Sequence, residues 1–157
     1  MKTLLTCTVN GEERTTLADT RDTLLELLRE RLGLTGTKEG CSNGNCGTCT
    51  VLMDGAPINA CLVLALEAPG SEITTIEGLS GAVALHPIQQ ALVDLGGTQC
   101  GFCTPGIVLS AKALLDANPR PTDEDIRHAI AGNLCRCTGY GKIVEAIAAA
   151  AAAAPGR

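Results

Sequence analysis

The chain has 157 residues, 45% of them hydrophobic, and carries a formal net charge of −5. That acidic balance excludes nucleic acid as a partner, because phosphate neutralisation needs a basic face, and Phe102 and Tyr140, the only aromatic residues, make no stacking platform. The length allows one domain or two small ones with cores of Leu, Val, Ile and Ala, and halves of that size bury little surface and rely on staples such as bound metal.

The opening residues include Lys2, Asn10, Glu12, Glu13 and Arg14, and they read neither as a signal peptide nor as a twin-arginine leader. No run of eighteen apolar residues occurs, so no membrane span is expected, and the alanine run over 148–154 reads as a helix tail. The expected home is the reducing cytoplasm, where nine cysteines are not expected to form disulfides.

In chain order, "LLTCTVNGEERTTLA" alternates Leu5, Cys7 and Val9 on one face and breaks at Asn10-Gly11, the signature of a hairpin. "DTLLELLRERLG" predicts a helix capped by Asp22 or Thr23, with Leu24, Leu25, Leu27, Leu28 and Leu32 inward and Gly33 as its stop. A glycine-rich cysteine loop follows. "TVLMDGAPIN" predicts a second hairpin turning at Asp54-Gly55, and "EITTIEG" a last short strand. This is a small α+β pattern with mixed topology.

After Gly78 the texture becomes helical. "HPIQQALVDLGG" places Pro87 at a helix start, and "TPGIVLSAKALLDANP" has Thr104 as cap and Asn118-Pro119 as stop. "PTDEDIRHAIAG" pairs Thr122 with Asp125 as a cap, and "GKIVEAIAAAAAA" is a fourth helix. "LSGAVAL", residues 79–85, reads as the joint between domains 1–78 and 79–157.

Cys41, Cys46, Cys49 and Cys61 follow C-x4-C-x2-C with a fourth cysteine downstream, the plant-type [2Fe–2S] spacing. One loop must wrap a cluster tightly enough to present thiolates to both irons, and Gly40, Gly44 and Gly47 supply backbone freedom for that wrap. Structural zinc favours paired C-x2-C knuckles instead. Cys100, Cys103, Cys135 and Cys137 form C-x2-C followed much later by C-x-C. Spacing alone leaves zinc and a second cluster both open there. Cys7 is left over on the inward face of the first strand as a small hydrophobe. His86 and His128 lie outside the cysteine loops and read as structural. No Ser-His-Asp set, HExxH, P-loop or GxGxxG is present, so no catalytic residue is assigned.

"GCSNGNCGTC" with Cys61, "QCGFCTPG" and "GNLCRCTGY", in this order, resemble the small iron–sulfur subunit of the molybdenum hydroxylases, the xanthine oxidase family, over roughly residues 3 to 150. The resemblance implies an N-terminal β-grasp, ferredoxin-like domain and a C-terminal four-helix bundle, each holding one [2Fe–2S] cluster, so the second group becomes a cluster site rather than a zinc site. It implies a large partner subunit with a molybdenum–pterin cofactor, usually a medium subunit with FAD, and a dimer of such heterotrimers. Electrons would pass from molybdenum to the Cys100/Cys103/Cys135/Cys137 cluster, then to the Cys41/Cys46/Cys49/Cys61 cluster, then to flavin. Gln99 and Cys137 match the family residues that approach the pterin. A free-standing ferredoxin-like carrier and a zinc-stapled interaction protein are the alternatives, and the helical half argues against the first.

Overall fold

The first hairpin forms where the alternation predicts it. β1 (Lys2–Val9) and β2 (Glu12–Asp19) run antiparallel from Lys2 opposite Asp19 to Val9 opposite Glu12. Asn10 (φ 55°) and Gly11 (φ 77°) take the left-handed torsions that a two-residue turn of the favoured hand requires. Leu5, Cys7 and Val9 are buried, while Leu4 and Leu17, paired across the strands, face outward. The computed structural model describes residues 1–81 and 84–153.

Thr23 caps the first helix. Its hydroxyl accepts the Glu26 N–H at 3.2 Å, and the Glu26 carboxylate accepts the Thr23 N–H at 2.7 Å. α1 (Leu24–Glu26) widens at once into a π-helical stretch, Leu27–Arg31, where a plain α-helix was expected. The leucine pattern does not distinguish the two forms, because both bury Leu24, Leu25, Leu27 and Leu28.

β3 (Thr50–Met53) and β4 (Ala56–Asn59) make the second hairpin, turning at Asp54 (φ 52°) and Gly55 (φ 82°). β5 (Glu72–Thr74) lies between β1 and β3, giving the order β2-β1-β5-β3-β4, parallel to β1 and antiparallel to β3. The mixed sheet covers the α1 leucines, and Cys7, Cys49 and Cys61 belong to that same core.

The second half contains α2 (Pro87–Asp94), α3 (Thr104–Ala117), α4 (Asp123–Ala129) and α5 (Gly141–Ala153). His86 caps α2, its Nδ1 accepting the Ile88 N–H at 3.3 Å. Thr122 caps α4 as predicted, accepting the Asp125 N–H at 3.2 Å. On α3 the expected cap is one residue off: Cys103 is the N-cap, in helical torsions, and Thr104 is already helical. The helix springs directly from the loop that carries Cys100, and no side chain caps it. Ile88, Leu92, Ile107, Val108, Ile126, Ile130, Ile143 and Ile147 form this half's core. The described residues thus contain five α-helices, α1 packing with the sheet and α2–α5 following it.

α3 packs against β3, so the two halves touch directly. The predicted joint includes residues 82–83, and the alanine run ends at Ala154; these lie outside the described residues. Among the described residues no helix is long and apolar enough to cross a membrane.

Candidate metal centres

The first cysteine loop joins α1 to β3. Arg29 anchors it by donating from Nη1 to the carbonyls of Thr35 (3.0 Å) and Thr37 (2.7 Å). Gly44 (φ 81°) and Gly47 (φ 67°) hold left-handed torsions that an ordinary residue adopts only under strain. Gly40 is needed for space instead: a Cβ there would lie 2.9 Å from Cys46 Sγ and 2.7 Å from Thr48 Oγ1.

The four thiols of this loop fall into an outer pair, Cys41 and Cys46, which are half-buried, and an inner pair, Cys49 (2% exposed) and Cys61, which are buried in the core. The pairs differ electrostatically. The Asn43 N–H, followed by the Cys46 thiol, holds Cys41 down to about 7, whereas burial, reinforced by Cys61, pushes Cys49 up to about 12. The Thr48 hydroxyl lies 3.2 Å from Cys46 Sγ.

The second group repeats the arrangement. Cys100 and Cys103 lie on the loop entering α3, and Cys135 and Cys137 on the loop between α4 and α5. Cys137 Sγ donates to Cys100 Sγ at 3.5 Å on the exposed side, while Cys103 is buried and Cys135 half-buried. Burial, then Cys135, raises Cys103 to about 12. For Cys135 burial works upward, but the Thr138 hydroxyl and N–H outweigh it and bring the thiol to about 7. Thr138 Oγ1 accepts the Tyr140 N–H at 3.2 Å, which leaves its own proton for Cys135 Sγ at 3.1 Å.

This donor set suits a two-iron cluster. Thiolates are its ligands, two to each iron, and both groups supply two pairs. Among the described residues no three His, Cys, Asp or Glu side chains converge as ligands of one ion. The buried thiols surrender their protons only to a strong countercharge, which a bound metal provides.

The two loops are joined to each other. The Leu134 N–H donates to the Cys46 carbonyl at 2.8 Å, and Asn133 Nδ2 donates to the Gly47 carbonyl at 2.9 Å and to Thr50 Oγ1 at 3.0 Å. A Cβ on Gly47 would collide with the Gly132 carbonyl, and one on Gly106 with the Gly47 carbonyl. Tyr140 supports the second loop, its hydroxyl accepting the Cys135 N–H at 2.7 Å and donating to the Asn133 carbonyl at 3.2 Å.

Of the eight predicted ligands the structure sets Cys137 Sγ 3.5 Å from Cys100 Sγ and buries Cys49, Cys61 and Cys103, while Cys7 lies in the sheet core and His86 caps α2. Gln99 is exposed beside Cys100. Sequence reasoning missed Asn133, Thr138 and Tyr140. Gly106 was the available signal: a glycine in the first turns of a helix lowers its stability and marks close backbone approach.

Residues 7–75 match the family of 2Fe-2S iron-sulfur cluster binding domains, and residues 75–148 match the [2Fe-2S] binding domain family. The chain is 50% identical over 146 residues to the nicotinate dehydrogenase small FeS subunit of Eubacterium barkeri, covering 93% of each chain. It is 52% identical over 139 residues to the nicotine 6-hydroxylase small subunit of Paenarthrobacter nicotinovorans, covering 88% of this chain and 84% of that one. Quinoline 2-oxidoreductase from Pseudomonas putida 86 contains a chain that superposes with a TM-score of 0.94 at 45% identity, covering 97% of this chain and 95% of that one. Two iron–sulfur families in tandem and relatives matched almost end to end lead to one conclusion: the chain belongs to the small iron–sulfur subunits of the molybdenum hydroxylases and serves as the electron-transfer subunit of an oxidoreductase complex.

Proposed function

We propose that Cys41, Cys46, Cys49 and Cys61 hold one [2Fe–2S] cluster and that Cys100, Cys103, Cys135 and Cys137 hold a second. The observation that carries this reading is the pairing: each group presents one inner and one outer pair of thiols. A cluster so held accepts and releases one electron at a time, which divides a two-electron oxidation into single steps. The residues of this chain bind it, shield its inner side with core leucines and donate hydrogen bonds to its ligands.

The domain assignment accompanies the ligand assignment. Residues 1–78 form a β-grasp domain and residues 79–157 a four-helix bundle, supported by the mixed sheet over α1 and by the succession α2–α5. The partner is a large subunit bearing a molybdenum–pterin cofactor. It docks where Cys100 and Cys137 reach the surface, with Gln99 and Cys137 contacting the pterin. Gln99 carries both donors and an acceptor for a pterin edge. Electrons leave at the Cys41/Cys46 end towards FAD on a medium subunit, in a dimer of heterotrimers. Nine cysteines without a disulfide accord with a cytoplasmic setting.

Iron, sulfide and zinc analysis of anaerobically purified protein tests the ligand reading. The expected result is four irons and four acid-labile sulfides per chain, two for each group of four cysteines, with two distinct signals on reduction. Stoichiometric zinc without sulfide would overturn it. Recovery of a molybdenum-bearing subunit by co-purification tests the partner.

A further inference from the structure

We propose that Asn133 is a positioning residue that fixes the separation between the two cysteine groups, so that both ligand loops move as one body during electron exchange. The proposal rests on the two-cluster reading above and assigns a role to a side chain that ligates nothing. Asn133 is 3% exposed. A buried amide is costly unless its donors and acceptor are satisfied, and here they are met by three different elements. Nδ2 donates to the Gly47 carbonyl in the first ligand loop (2.9 Å) and to Thr50 Oγ1 at the start of β3 (3.0 Å). Oδ1 accepts the Ser110 hydroxyl of α3 at 2.7 Å. Thr50 in turn donates to the same Gly47 carbonyl at 2.7 Å.

The orientation of the amide follows from its partners. Reversing it would set Oδ1 against the Gly47 carbonyl, acceptor against acceptor. An Asn133→Asp change would create the same conflict with added charge, and an apolar residue would leave the buried Ser110 hydroxyl without its acceptor and Thr50 as the remaining donor to the Gly47 carbonyl. The fit is also enforced sterically, because the main chain of Gly47 lies against Gly132 and against Gly106 with no room for a Cβ.

Asn133 stands two residues before Cys135, and Gly47 directly follows Cys46. The strut therefore acts on one ligand of each group. Tyr140 braces it from behind, donating to the Asn133 carbonyl while accepting the Cys135 N–H. Tyr140 has φ 68°, an uncommon torsion for a bulky residue, and such strain persists only where the surroundings hold it. Electron exchange between two centres falls steeply with separation, so a loop free to drift would spread the rates.

The test uses the full chain carrying its iron, fully reduced and examined by low-temperature electron paramagnetic resonance. Two reduced clusters split one another's signals by a dipolar coupling that falls as the cube of their separation. In Asn133→Ala the expected outcome is unchanged iron content and visible spectrum, with the splitting lost or smeared over a range. Thr50→Val and Ser110→Ala, which each remove one hydrogen bond, should broaden it to a lesser degree and carry the test where Asn133→Ala does not fold. A lowered melting temperature with the wild-type splitting intact would reduce Asn133 to a fold stabiliser and overturn the proposal. Wild-type protein with fewer than two paramagnetic centres would instead refute the two-cluster reading, before any variant is compared.

Discussion

The Leu134 amide and the Cys46 carbonyl are joined by a 2.8 Å hydrogen bond, which leaves Cys46 and Cys135, proposed ligands of different clusters, one hydrogen bond and one residue apart. The expectations below follow from how the chain builds that junction and its surroundings.

Cysteines of the two groups should behave unlike Cys7. Cys46→Ser or Cys135→Ser should lose the iron of its own group and destabilise its half strongly, because metal binding and folding are coupled in a small core. Cys7, 3% exposed in the sheet core, should tolerate Cys7→Ala with full iron and a loss of about 1 kcal/mol. Iron analysis and thermal melts check both. Iron loss in Cys7→Ala would mean the ligand assignment is wrong.

Gly47 and Gly96 share φ 67°, but only Gly47 has neighbours where a Cβ would go. Gly96→Ala should cost about 1 kcal/mol, the torsion alone. Gly47→Ala adds a collision with the Gly132 carbonyl and should cost about 2–4 kcal/mol. Denaturant unfolding of the two variants separates torsion from contact, and equal losses would contradict the close approach.

His86 titrates against stability in a definite direction. Its ring is pulled below its usual value of 6.5 by burial and then by Lys112, and Nδ1 must stay unprotonated to cap α2. Below that value the unfolded chain takes up a proton that the folded ring resists. The contribution is therefore complete above 6.5 and lost as pH falls through the lowered folded value. His86→Asn keeps a cap without titrating. Its melting temperature should fall less than that of the wild type between about pH 8 and pH 5, and parallel profiles would remove His86 from the acid response.

Gln99→Ala should keep its iron and its spectrum, because Gln99 is exposed and holds no part of the fold. In the complex with the molybdenum-bearing partner it should slow reduction of the iron–sulfur centres by substrate. Rapid-mixing absorbance checks this, and unchanged bleaching would remove Gln99 from the contact. The chain by itself should turn over no substrate while still exchanging electrons with redox dyes.

The readable parts of this molecule were those set by local chemistry. Asn10-Gly11 and Asp54-Gly55 announce tight turns through torsions that few residues adopt, and Thr122 announces a helix through its hydroxyl. The first cysteine group had a readable spacing because three of its members share one loop. The second is split between two loops, and its spacing left zinc and a cluster both open. Asn133 was not legible, because its partners Gly47 and Thr50 lie more than eighty residues away, at sequence separations of 86 and 83. An asparagine before a cysteine pair has no local mark that distinguishes a solvated turn from a buried strut. The π-helical widening of α1 escaped for another reason: the same leucines satisfy either form.

Beside the Asn133 side chain, the seam between the halves includes a close approach of main chain, with the Gly47 backbone lying against Gly132 on one side and Gly106 on the other. Interfaces built from side chains can drift, one substitution compensating another across generations. Gly47 and Gly106 offer no such gradual route, because a Cβ on the first would collide with the Gly132 carbonyl and one on the second with the Gly47 carbonyl. A chimera joining the first half of one relative to the second half of another should assemble only where glycine recurs at positions 47 and 106.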